Sequence, residues 1–200
     1  VGDTEASTRH AFATRAIHAG QDPDPTTGAV VTPISLSTTF AQEGVGRHKG
    51  FEYSRSGNPT RSALEAQLAS LEEATHGLAF ASGLSAEDNI LRLLRPGQRT
   101  LLGNDAYGGT FRLIAKVWSP LGFPWSAVDL TDLDALRTNW PDDVGLVWLE
   151  TPTNPLLTCF DIEAIAEIAH NRGAIVVVDN TFATPYLQQT PTLGAAIVVH

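Results

Sequence analysis

No methionine occurs in these 200 residues, lysine occurs only at Lys49 and Lys116, and cysteine only at Cys159. A single cysteine excludes an intrachain disulfide framework and fits a reducing, cytoplasmic setting. Taken alone, it reads as a small packed hydrophobe. Positive charge is scarce as well: 13 Lys and Arg stand against 22 Asp and Glu, a formal charge of -9. Binding DNA or RNA depends on neutralising phosphates, so this balance, without any basic stripe, argues against nucleic acid as a partner. Long apolar runs are missing too. AIVVV at 174–178 is far short of a bilayer span, and VGDTEASTRHAF at the start has no hydrophobic signal core, so no membrane association is expected. The absent initiator reads as that of a processed or trimmed chain.

What is present suffices for one sizeable globular core, since 42% of the residues are hydrophobic and 18% charged. From 1 to about 60 the chain is rich in Gly, Pro, Thr and Ser and reads as an arm of loops and short extended pieces. After Asn58-Pro59, Leu64, Leu68 and Leu71 fall at helical spacing, with Thr60 as the expected N-cap. Then strand and helix alternate. LAFA (78–81), RTLLGN (99–104), WSAVDL (125–130), GLVWLE (145–150), AIVVVD (174–179) and the end of TLGAAIVVH (192–200) read as strands. SAEDNILRLLRPG, YGGTFRLIAKVWSPLG, LDALRTNW and DIEAIAEIAHNRG read as the helices between them. In the last of these, Ile162, Ile165, Ala166 and Ala169 form an apolar face opposite Glu163, Glu167 and Asn171. This alternation predicts an α/β fold with a mostly parallel sheet covered by helices on both faces.

Ligands of such sheets bind beyond the carboxyl ends of the strands, and the special residues of this chain gather there. After LAFA, the Ser82-Gly83 turn opens a helix, so the amides of Gly83 and Leu84 face outward where an anion is favoured; the alternative is an ordinary turn capped by Ser82. Tyr107 precedes two glycines and can lie over a flat ligand or pack on the helix that follows. Arg112, one turn on, serves an anionic ligand or sits solvated at the surface. Glu150 and Asn154 flank two prolines; the Asn amide can donate to and accept from a ligand or satisfy its own turn. Asp179 ends a run otherwise suited to burial on both faces, where a charge is costly without a cationic partner. It can cap the next turn, or hold a protonated ring nitrogen. An anion-binding helix start, a stacking Tyr, an Asn and a buried Asp at one edge suit a planar, phosphorylated, heteroaromatic cation such as pyridoxal 5′-phosphate, PLP.

Five segments, FEYSRSGNPTR (51–61), FASGLSAEDN (80–89), DAYGGTFR (105–112), LETPTNPLL (149–157) and VVDNTF (177–182), resemble in order and interval the PLP-dependent enzymes of Cys and Met metabolism. This family comprises the cystathionine γ-synthases, γ-lyases and β-lyases, and the resemblance runs from about Thr14 to His200. It implies fold type I, of the aspartate aminotransferase kind, with an arm at 1–60 and a large PLP-binding domain over 61–200. It also implies that Tyr53 and Arg55 reach the cofactor phosphate of a neighbouring subunit, with Ser82, Gly83 and Leu84 at the phosphate of their own. Many relatives carry Met where Leu84 stands. By the same resemblance Tyr107 stacks on the ring and aids proton transfer, Asp179 partners the ring nitrogen and Thr181 lies close to the ring. Asn154 is assigned to the cofactor hydroxyl or substrate carboxylate, and Arg112 to the substrate.

The family's cofactor-anchoring lysine follows the strand that here ends in IVVH, and neither Lys49 nor Lys116 matches it. The chain is therefore expected to be the first half of a protein about twice as long. The implied activity is γ-replacement or γ-elimination on sulfur amino acids or homoserine esters, as in cystathionine γ-synthase or γ-lyase. Gly109 weighs against methionine γ-lyase, where Cys is frequent. Cystathionine β-lyase and O-acyl-homoserine sulfhydrylase are alternatives, as is a non-catalytic PLP-binding or assembly module without the lysine. A small amino-acid substrate, a homotetramer of active dimers with shared sites, no metal, and a cytoplasmic location complete the expectations.

Overall fold

The computed structural model describes residues 10–200, so residues 1–9 of the expected arm lie outside the described residues. The chain falls into two compact units divided between Ala79 and Phe80.

In the first unit, α1 (Phe12–His18) packs on α2 (Pro59–Leu71). The arm was expected to be irregular, and α1 is a departure from that. It exists because Arg15, buried on its inner side, donates to the Ser70 carbonyl and to Glu73 at 3.3 Å, contacts that no local periodicity announces. Gly20 ends the approach of the two helices: its φ of +71° is left-handed, and a Cβ there would stand 2.6 Å from the Ala63 carbonyl oxygen. Thr60 is not the N-cap of α2. That position belongs to Asn58, held extended by the following proline, whose carboxamide oxygen accepts from Thr60 N at 2.9 Å and Arg61 N at 3.3 Å. Pro59 takes the first helical position, where its missing N–H costs nothing, and the Thr60 hydroxyl instead accepts from Ser35 N at 2.8 Å. Among the described residues of this unit, Ala69 is the one buried apolar side chain, while Val30, Val31, Ile34, Leu36 and Val45 are exposed.

The second unit is built on five parallel strands: β1 (Arg99–Gly103), β2 (Trp125–Val128), β3 (Val144–Glu150), β4 (Ile175–Asp179) and β5 (Ile197–Val199), in the order β2-β1-β3-β4-β5. Side chains alternate across the sheet. Val147, Leu149, Val176 and Val178 pack under α6 (Ile162–His170), through Ile162, Ile165, Ala166 and Ala169 as the sequence predicts. Leu146, Trp148, Val177 and Val199 face the other way. There they meet Ile90, Leu91 and Leu94, on and just beyond α3 (Gly83–Leu91), and Leu113, Ile114 and Trp118 beyond α4 (Gly108–Arg112). The helix begun by α4 runs on as a π turn over Leu113–Trp118 and a 3-10 turn over Ser119–Leu121. Asp132 and Asp161 cap α5 (Leu133–Thr138) and α6 through Ala135 N at 2.8 Å and Ala164 N at 3.0 Å.

LAFA forms no strand. Leu78 and Phe80 are exposed, and Ala79 N donates to the Glu65 carboxylate at 3.0 Å rather than to a ladder. A strand is a property of a pair, and among the described residues none lies alongside. Nor is Cys159 packed; it is exposed in the loop after β3.

Candidate active site at the carboxyl ends of the strands

The parallel register decides what the strand ends present. Glu150 closes β3 and Asp179 closes β4, and the two are register partners. Partners in adjacent parallel strands point to the same face. Counting back in twos, that face carries Trp148, Leu146 and Val177, the side covered by α3 and α4. Asp179 is 8% exposed and Glu150 7%, so two acids stand side by side at the rim of an apolar core.

A third acid joins them. Glu87 lies on α3 at the head of the stripe continued by Ile90, Leu91 and Leu94, and is 4% exposed. Its Oε2 is buried without a hydrogen-bond partner. Burial, and then the negative charges of Asp179 and Glu150, push its carboxyl up to about 7. The Thr110 hydroxyl on α4 faces it and opposes this in part, without a bond of ordinary geometry. Among the described residues no cationic side chain pairs with Asp179; its Oδ1 accepts only from Thr181 N, at 3.0 Å, capping the turn after β4. The cation that the sequence calls for at Asp179 is thus not supplied by the described chain.

Glu150 ties two loops together. Its Oε2 accepts from the Tyr107 amide and its Oε1 from the Asn154 amide at 2.9 Å. Burial raises its carboxyl to about 7, with Asp179 and Asp105 adding to the rise and the two amides resisting it. The Asn154 loop is braced further by Asp105, whose Oδ2 accepts from the hydroxyls of Thr153 at 2.5 Å and Thr158 at 3.2 Å. Both of its X-Pro bonds, before Pro152 and Pro155, are cis. Asn180, fully buried, holds the next loop by donating to the Gln188 carbonyl at 2.8 Å.

The sequence-predicted residues of the second unit lie at the same strand ends, most of them exposed. Ser82 caps α3 by accepting from Ser85 N at 3.2 Å, leaving the amides of Gly83 and Leu84 in the unsatisfied first turn of the helix. A Cβ on Gly83 would lie 3.6 Å from the carbonyl oxygen of His200, beside the end of β5. Tyr107 is 45% exposed, and its ring folds back over Gly109, where an added Cβ would meet it at 2.3 Å. It therefore rests on the start of its own helix while presenting its other side outward. Thr181 is exposed after Asp179, and Asn154 half-buried. Arg112 is exposed on α4. Tyr53 and Arg55 belong to the first unit, where the guanidinium donates to the phenol oxygen at 2.8 Å and lies 5.2 Å from the ring centroid.

The donors and acids present fit a phosphorylated aromatic cation: outward amides for an anion, an aromatic face, and an unpaired buried carboxylate. Glu87 is the residue that reading the strand exits missed. Its signal was in the sequence, an acid on an otherwise apolar helical stripe one turn from the Ser-Gly start. Among the described residues no cluster of His, Cys, Asp and Glu is arranged to hold a metal ion, and no helix is long and apolar enough to cross a membrane.

Comparison with known proteins bears on the family and the fold. The cystathionine gamma-synthase of Mycobacterium tuberculosis is 56% identical over 190 residues, covering 94% of this chain and 49% of that protein. Among solved structures, metB from Corynebacterium glutamicum superposes with a TM-score of 0.93 at 48% identity, over 96% of this chain and 50% of that one. Cystathionine gamma-lyase from Lactobacillus plantarum, complexed with L-serine, gives 0.91 at 46% identity over 94% and 49%. The chain spans about half the length of these relatives, and its fold is type I. Residues 13–200 match the model of the Cys/Met metabolism PLP-dependent enzymes, and the chain belongs to that family.

Proposed function

We propose that the protein carrying this chain performs γ-replacement or γ-elimination on sulfur amino acids or homoserine esters, as a cystathionine γ-synthase or γ-lyase. The observation that carries the reading is the unpaired, buried Asp179 beneath a rim of outward amides and Tyr107. Asp179 holds the proton of the ring nitrogen, which lets bound PLP act as the electron sink for bond breaking beside the amino-acid carbon. The amides of Gly83 and Leu84, with Ser82, bind the phosphate at the start of α3. Tyr107 would cover the ring and move a proton through its phenol, with Thr181 close to the ring. Asn154, fixed by Glu150, orients the cofactor hydroxyl or substrate carboxylate, with Arg112 drawing the anionic end of the substrate.

The arm at 1–60 serves the site of a neighbouring subunit through Tyr53 and Arg55, while residues 61–200 form the cofactor domain. Oligomerisation is supported by the exposed apolar residues of the first unit, more than a solvated arm needs. The assembly is a dimer of active dimers working in the cytoplasm.

The test is turnover by the full-length polypeptide loaded with PLP. Cystathionine should yield cysteine, or an activated homoserine ester and cysteine should yield cystathionine. Asp179→Ala should lower either rate by about two orders of magnitude. Release of homocysteine in place of cysteine would identify a β-lyase, and full activity in Asp179→Ala would refute the assignment of the ring nitrogen.

A further inference from the structure

The buried carboxyl of Glu87 is not accounted for by the fold. It occupies a position on the α3 stripe where an apolar side chain would complete the packing begun by Ile90, Leu91 and Leu94. A buried acid with an unpartnered oxygen is a standing cost. The groups facing it are Asp179 from β4, Glu150 from β3 and the neutral Thr110 from α4. His200 directly follows β5 and is exposed, as is Arg112 of α4. Among the described residues, three acids and no cation therefore converge on the place where, on the reading proposed above, a protonated ring nitrogen sits.

We propose that Glu87 is a positioning residue of this site: set against Asp179 and Glu150 on one face of the sheet, its carboxyl adjusts the negative charge that a ring cation meets at Asp179. It touches neither the substrate nor the reacting atoms and acts through Asp179. In its neutral form it adds no charge to the pocket; ionised, it strengthens the field on the ring nitrogen. An arriving cation in turn favours its ionisation, so binding and proton release are linked at this side chain. The residue thereby gives the site a graded response to pH around neutrality.

The inference rests on the cofactor-site reading, and one titration separates the two. Pyridoxamine 5′-phosphate, a cationic ring that needs no lysine to anchor it, is titrated into the cofactor-free, full-length polypeptide between pH 5.5 and 8.5. The unaltered protein is compared with Glu87→Gln and Glu87→Leu, with melting curves confirming that each variant is folded. The probe's own ionisations are common to all three and cancel in the ratio of dissociation constants.

For Glu87→Gln over unaltered protein, that ratio should be near one at pH 5.5, where a neutral acid and an amide are alike. It should rise about three- to tenfold by pH 8.5. Glu87→Leu should show the same rise above its own pH 5.5 value. A ratio that stays constant with pH, whatever its size, would make Glu87 a packing residue and overturn the inference while leaving the cofactor site intact. A ratio that falls would set Glu87 against the phosphate instead of the ring and overturn it equally. Absence of binding in the unaltered protein would overturn the cofactor-site reading and this inference with it.

Discussion

Replacing Glu87 by Gln should make the cofactor-free protein more stable, by an amount that grows as pH rises from about 4.5 to 7 and is constant above. A glutamate ordinarily titrates near 4.5, and burial beside Asp179 and Glu150 raises Glu87 to about 7. Between those values the folded chain holds a proton that the unfolded chain has released, so stability falls as pH rises through this window and levels off above it. At about 1.4 kcal/mol per pH unit, the loss amounts to about 3 kcal/mol at pH 8, and nothing is lost below pH 4. An amide of the same size escapes that loss. Chemical denaturation of both proteins at half-unit steps from pH 5 to 9 would show the two stabilities converging at the acid end and diverging toward the basic end. At pH 8 the melting point of the variant should stand about 5–10 °C higher. Glu150 titrates in the same window for the same reasons, and each acid raises the other. The double variant Glu87→Gln/Glu150→Gln should therefore gain less than the sum of the two singles. Parallel curves for the unaltered protein and Glu87→Gln across the whole range would refute the buried-charge argument.

Gly109→Ala separates stability from site geometry. The methyl group favours the helix by up to about 1 kcal/mol yet would stand 2.3 Å from the Tyr107 ring, so the half-exposed ring must swing away. The melting point should hold or rise while PLP affinity, followed by absorbance titration, drops about tenfold; unchanged affinity would remove Tyr107 from the cofactor. Asn58→Ala should cost about 1–2 kcal/mol in denaturant unfolding, because the side chain caps α2 and also donates to the Ser35 carbonyl at 3.1 Å. A loss within 0.5 kcal/mol, a threshold on the order of ordinary surface substitutions, would show that the cap is dispensable.

The strand and helix alternation of the second unit is legible in the sequence because each element carries its own period, and the register places Asp179 where the polar end of AIVVVD puts it. What the sequence conceals depends on partners remote in the chain. The α1 helix rests on Ser70 and Glu73, more than fifty residues away. LAFA has the composition of a strand but no neighbour among the described residues, and composition cannot report a neighbour. Thr60 and Asn58 are both acceptable caps by residue type, and the choice falls to Asn58 because Pro59 holds it extended. Glu87 escapes notice at the strand exits because it reaches the same edge from the side of a helix.

The first unit has a consequence for biosynthesis. Its residues leave the ribosome before any strand of the sheet exists, and among the described residues they bury scarcely any apolar side chain beyond Ala69, with Phe40 and Phe51 only half-buried where their rings face each other 5.6 Å apart. Val30, Val31, Ile34 and Leu36 thus emerge as sticky, unsheltered chain while the remaining residues are still being joined. Slow translation beyond residue 80 lengthens the time this nascent stretch spends uncovered and open to association.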